Sequence, residues 1–168
     1  MQKKRLTFGV VAAQASDIEQ RRIMEGIIEQ AKALNIDTVV ISNIYNPDKS
    51  VYTLDCRKEN NIYELLNSSG FDGFILIAEA IINSDLQKRI SEALSRRPEI
   101  PVVVVGAPGS DLMQDYFEVI NTDDAADMEN ITDHMIEVHG CKDIDILTGR
   151  PDMEVSAQRV EGYRRSLE

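Results

Sequence analysis

Six polar side chains offer groups able to exchange hydrogen bonds or charge: Gln14, Ser16, Glu79, Asp123, Asp152 and Arg159. Their chemistry is that of binding. An amide and a hydroxyl exchange hydrogen bonds, carboxylates accept them, and an arginine fork donates two parallel bonds to a carboxylate or a hydroxyl pair. The groups that would make bonds are absent or badly placed. His134 and His139 are five residues apart, whereas two ligands on one helical face lie one turn apart, as in H-E-x-x-H. His134 therefore reads as a surface or packing residue, and His139 as one favoured by the helix dipole just before Gly140, which can take a left-handed cap. Cys56 and Cys141 have no histidine placed in sequence to activate them and read as inert.

Three enzyme and signalling motifs can be tested directly. A dinucleotide fold needs G-x-G-x-x-G after its first strand, and Ala12-Ala13-Gln14-Ala15-Ser16 stands there. No G-x-x-x-x-G-K-[S/T] phosphate loop occurs. A two-component receiver would need acidic residues after the first strand and an aspartate after the third, where this chain has Gln14 and Glu79. With two Cys and two His, a closed zinc site would have to recruit carboxylates. The chain reads as non-enzymatic, free of metal and without a cofactor.

The elements that must position these residues follow from hydrophobic pattern. Continuous apolar runs at 6–12, 38–41, 74–78 and 102–105 suit parallel strands covered on both faces. Between them lie segments of helical period. The first opens with Ser16 and Glu19 in capping-box spacing and carries Ile23, Met24, Ile27, Ile28, Ala31 and Leu34 on one side. A second lies around 57–69, with Ile62, Leu65 and Leu66. A third starts near Ser84, has Gln87 in the capping-box position, and closes before Pro98 and Pro101. Alternation of this kind predicts an α/β fold, an open parallel sheet with helices on both faces.

The pattern divides the chain at a turn-rich stretch. Residues 1–106 form a first lobe, 107–117 a connection containing Pro108 and Gly109, and 118–168 the start of a second lobe. That second lobe is expected to comprise a strand at 118–121, a helix near 125–138, a strand at 143–148 and a helix carrying Val160, Tyr163 and Leu167. Two strands are too few for an independent lobe of this type, so it reads as incomplete. Ligands in open α/β sheets bind beyond the carboxyl ends of the strands, which points to the loops carrying Gln14, Ser16, Glu79, Asp123 and Asp152; Arg159 falls on the first turns of the last helix. Taken alone, Asp123 and Asp124 favour capping the next helix. Glu79 could face a cleft or cap a helix, and Arg159 could be simply solvated.

Composition narrows the partners. Among 168 residues, 29 Asp and Glu face 18 Lys and Arg, a formal charge of −11 that opposes binding of phosphate backbones and anionic lipid. No apolar run approaches the roughly 20 residues of a membrane span. Lys3-Lys4-Arg5, the apolar stretch 6–13 and Ala13-Gln14-Ala15 imitate a secretory signal, but the short run containing Gly9 reads as a buried strand. A cytoplasmic protein is expected.

The second half carries a resemblance. Val119-Ile120-Asn121-Thr122-Asp123-Asp124, His134-Met135-Ile136-Glu137, Ile146-Leu147-Thr148-Gly149 and the string Ser156 to Leu167 containing Arg159-x-x-Gly162-Tyr163 together resemble the effector domain of LacI/GalR regulators, of periplasmic-binding-protein-like type I fold. Gly26, Phe71-Asp72-Gly73-Phe74-Ile75 and Ile100-Pro101-Val102-Val103-Val104 extend the match through the first half. The resemblance implies two lobes closing on a small solute, commonly a sugar or nucleobase-like metabolite, with Arg159 at the position of an effector-contacting arginine and Asp123 at the start of the second lobe's first helix. It implies a homodimer through the N-terminal lobe, with DNA bound only by a separate module. Glu19 and Gln20 replace the aromatic residues often found at the start of the first helix, and Ala107-Pro108 replaces a common acidic-basic pair. Glu137-Val138-His139-Gly140 looks like the branch in which such sensors are joined to diguanylate cyclases, kinases or AraC-type DNA-binding domains. A module that only dimerises is the remaining alternative. No helix-turn-helix precedes Lys3, so an output domain is expected after Glu168 if Met1 is the start.

Overall fold

The computed structural model describes residues 5–44, 58–106, 112, 115–149 and 153–168. Contacts divide the chain into two units, Met1–Ile120 and Asn121–Glu168.

The first unit is built on five parallel strands: β1 (Thr7–Ala12), β2 (Asp37–Ser42), β3 (Gly73–Ile77), β4 (Val102–Val105) and β5 (Glu118–Ile120), in the order β2-β1-β3-β4-β5. In register, Val10 lies beside Val40 and Ile75, and Leu76 beside Val104. Strand side chains alternate between faces, and the two apolar layers follow that alternation. Val10, Ala12 and Ile77 pack with Met24 of α1 (Ile18–Ala33). Val11, Leu76 and Val104 belong to the larger core on which η1, a 3₁₀ helix (Asn60–Asn67), and α2 (Ser84–Ser95) place Tyr63, Leu66, Leu86 and Ile90. Burial of such side chains stabilises by roughly 1.5–3 kcal/mol each.

Several local expectations are corrected. Asp17, not Ser16, caps α1, its carboxylate accepting from the amides of Glu19 at 2.9 Å and Gln20 at 3.3 Å; a carboxylate at a helix start gains from the dipole as well as the bonds. Asn83 likewise caps α2 ahead of Ser84, and Gln87 donates instead to the carbonyl of Ile81 at 2.6 Å. Segment 60–67 is 3₁₀ rather than α. At the sheet edge, β2 leaves Val39 and Val40 about 40% exposed, so the reading of both-face burial fits the inner strands but not this one. The strand at 118–120 does not open a second lobe: it pairs in parallel with β4, Val104 beside Val119.

The second unit contains α3 (Asp124–Glu137) and α4 (Glu154–Leu167). Gly162 lets their backbones meet, because a Cβ there would lie 2.0 Å from the carbonyl oxygen of Ala125. Ser166 Oγ donates to the carbonyl of Glu129 at 2.9 Å, and Tyr163 Oη to that of Ile144 at 2.6 Å. The expected strand at 143–148 forms no ladder, and Leu147 is fully exposed. Strand backbone groups need a neighbouring strand, and among the described residues this unit has none. No helix among the described residues is long and apolar enough to cross a membrane.

Candidate functional site

Strand order places a topological switch between β1 and β3: the chain leaves β1 for β2 on one side and proceeds from β3 to β4 on the other. Loops diverge at such a point and leave a crevice at the carboxyl ends of the two strands. Gln14 follows β1 and Glu79 follows β3, so two of the expected site residues border this crevice.

Gln14 has φ +53°, a left-handed conformation unusual for a side-chain-bearing residue and costing of order 1 kcal/mol or more. Neighbouring hydrogen bonds hold it there. Its amide donates to Asn43 Oδ1 at 3.0 Å, and its carbonyl accepts from the Asp17 amide at 2.8 Å. Asn43, 3% exposed, is in turn fixed: its Nδ2 donates to Asn60 Oδ1 at 2.9 Å and its amide to Tyr63 Oη at 3.3 Å. Tyr63 Oη donates to the carbonyl of Ala12, the last residue of β1, at 2.6 Å. A buried network from β2 and η1 thus sets the shape of the loop after β1. Sequence reading missed Asn43, Asn60 and Tyr63. The only available signal was a polar residue at the end of a strand, too common to be informative.

Glu79 is exposed and lies over Gly106, which has φ +88° and follows β4. A Cβ on Gly106 would fall 2.5 Å from Glu79 Cγ. Glycine at 106 is therefore required for its backbone angle, and an added Cβ would also displace the exposed Glu79 side chain. Ser16 is exposed in the turn before α1. Gln20 is 6% exposed, and its Oε1 has no hydrogen-bond partner.

In the second unit Asp123 is exposed and caps α3, accepting from the Ala126 amide at 3.0 Å. Arg159 is engaged by a residue that sequence reading assigned only to capping. Its Nε and Nη2 each lie 2.9 Å from Asp124 Oδ1. The Asp124 side chain is 9% exposed and its second oxygen accepts from Thr122 Oγ1 at 3.2 Å. About half of Arg159 remains exposed, leaving part of the guanidinium able to donate elsewhere. Asp152 and Cys56 fall outside the described residues; Cys141 is free and partly exposed. No cluster of three His, Cys, Asp or Glu suited to a metal exists among the described residues.

No protein-family model and no curated protein matches the chain. Solved structures do. The transcription regulator CcpA of Lactococcus lactis superposes with a TM-score of 0.68 at 20% identity, over 98% of this chain and 54% of that one. The lac repressor dimer bound to operator and the anti-inducer ONPF gives 0.67 at 14%, over 99% and 52%. A sugar-binding protein of a sugar ABC transporter from Bacillus halodurans gives 0.70 at 18%, over 96% and 51%. The chain spans about half the length of these proteins, and its fold is theirs in part: the periplasmic-binding-protein-like type I fold found in LacI-family regulators and sugar-binding proteins.

Proposed function

We propose that this chain is the small-molecule-sensing part of a LacI-type transcriptional regulator, binding a sugar or related metabolite without transforming it. The observation that carries the reading is the crevice after β1 and β3, where Gln14 is held in a strained conformation by a buried network and Glu79 is seated on Gly106. Strain maintained by surrounding structure is a mark of pre-organised ligand sites. Gln14, Ser16, Glu79, Asp123, Asp152 and Arg159 are the proposed contacts. Such a ligand acts on an output module only through its different affinity for two arrangements of the protein. The output module, DNA contact through it, and pairing of subunits through the N-terminal lobe belong to the same proposal, as does a cytoplasmic setting.

Thermal-shift screening of the full-length protein against sugars, nucleosides and acidic metabolites tests it. A hit is expected to lose its stabilisation in Gln14→Ala and Arg159→Lys. Lysine is the better probe at 159, because alanine would leave the buried Asp124 carboxylate without its cation. Stabilisation equal to wild type in both variants would overturn the site, and absence of any hit from the three classes would overturn the reading.

A further inference from the structure

Buried amide groups are almost always hydrogen-bonded, because one left unpaired gives up its water without compensation. Gln20 departs from that rule. It is 6% exposed, its Oε1 is buried, and its side chain makes no hydrogen bond among the described residues. Asn83, a second buried amide with an unpaired atom, is at least engaged through Oδ1 as the cap of α2. Nothing local asks for glutamine at 20. The position lies in the first turn of α1, whose start is already capped by Asp17 through the backbone amides of Glu19 and Gln20.

The helix fixes where this amide lies. Met24 follows Gln20 one turn later on the same face, and with Ile23 and Ile27 it packs on Val10, Ala12 and Ile77. Side chains of a helix lean toward its amino end. Gln20 therefore continues the buried row past Met24, toward the carboxyl ends of β1 at Ala12 and of β3 at Ile77. That is the crevice bordered by Gln14 and Glu79.

We infer that Gln20 is a specificity-determining residue of this crevice, its free acceptor taking a hydrogen bond from a hydroxyl or amine group of the effector and turning away an anionic group at that point. The inference rests on the sensor reading and narrows it to donor-bearing solutes. A carboxylate or phosphate oxygen brought to Oε1 would set acceptor against acceptor, and the exposed Glu79 carboxylate on the same crevice adds like charge. Where the resemblance would place aromatic rings that stack on a sugar, an amide selects by direction instead. A buried group that only the ligand can pair is also a source of selectivity, since a solute without the matching donor leaves it unsatisfied.

Thermal-shift titration of the full chain tests it on wild type, Gln20→Met and Gln30→Met. The probes are the neutral sugars and nucleosides of the screen, each beside its acid, D-galactose beside D-galactonate and adenosine beside adenosine monophosphate among them. Methionine keeps the length of the side chain and removes the unpaired amide, so the free Gln20→Met protein should melt about 2–4 °C above wild type. Its affinity for the neutral compound that stabilises wild type should nevertheless fall at least about ten-fold, the equivalent of one hydrogen bond. Gln30, exposed on the same helix, controls for propensity, and Gln30→Met should change neither reading. Wild-type affinity in Gln20→Met, a melting temperature of the free variant at or below wild type, or stabilisation of wild type by the acids alone would each overturn the role of Gln20 while the sensor reading stands. Absence of any response in wild type would overturn both.

Discussion

Two helical glycines respond oppositely to the same substitution. At 162, in α4, an added methyl would lie 2.0 Å from the Ala125 carbonyl oxygen, 2.9 Å from its carbon and 3.0 Å from the Glu129 amide nitrogen. All three are backbone atoms, so no side chain can swing aside. Since ordinary contact begins near 3.4 Å, α3 and α4 must part by more than about 1 Å. Separation stretches the Ser166–Glu129 hydrogen bond, and overpacking of this kind costs about 1–3 kcal/mol or more. Alanine returns about 1 kcal/mol of helix propensity. With the cost taken at its upper end, because the obstruction is main chain, Gly162→Ala should destabilise by about 2 kcal/mol, roughly a 30-fold fall in the folded ratio. At 26, on the exposed face of α1, nothing lies within 4 Å of the added methyl. Gly26→Ala should therefore stabilise by about 0.5–1 kcal/mol. Urea unfolding followed by far-UV circular dichroism separates the two, the first midpoint falling by about 1 M and the second rising. A Gly162→Ala midpoint at or above wild type would refute the close crossing of α3 and α4.

Three further outcomes follow from single contacts. Tyr63→Phe removes the hydroxyl shared by the Ala12 carbonyl and the Asn43 amide, leaving both buried without that partner; a loss of about 1–3 kcal/mol by urea unfolding, with faster hydrogen exchange at the Gln14 amide, is expected. Gly106→Ala forces a side chain into φ +88° and against Glu79, so a lowered melting temperature should accompany loss of any ligand-dependent shift, while Glu79→Gln keeps the melting temperature. Tyr116 has a buried hydroxyl without a partner, and burial, then the nearby Glu99 charge, pushes its pKa above the usual 10.0. A raised folded value means that the folded state holds this proton more tightly, so its contribution to stability is present below pH 10 and is lost as pH rises through the folded pKa. Tyr116→Phe should be neutral or stabilising at pH 7 and should flatten the alkaline fall in a pH series of melting temperatures.

The repeated apolar runs were enough to place β1, β3 and β4 and the intervening helix α1, because a buried parallel strand has no solvent face and shows it in every residue. Arg159-x-x-Gly162-Tyr163 was legible as a unit, though not for the reason that the structure assigns: Gly162 permits the crossing, Tyr163 ties α4 to Ile144, and Arg159 answers the buried Asp124. Which of two adjacent cap-competent residues takes a helix end was not legible, since Ser16 and Asp17, or Asp123 and Asp124, satisfy the same local preference until the approaching chain selects one.

Sequence alone determined what depends on neighbours along the chain: strand and helix periods, the acidic balance and the polar loop residues. Only the tertiary structure decided what depends on residues distant in sequence. Asn43 meets Gln14 across 29 positions, Tyr63 meets Ala12 across 51, and Arg159 meets Asp124 across 35. The pairing of β5 with β4 is of the same kind. The physical reason is that a local pattern fixes which face a side chain presents, whereas its partner is chosen by the path of the backbone through strand order and turns.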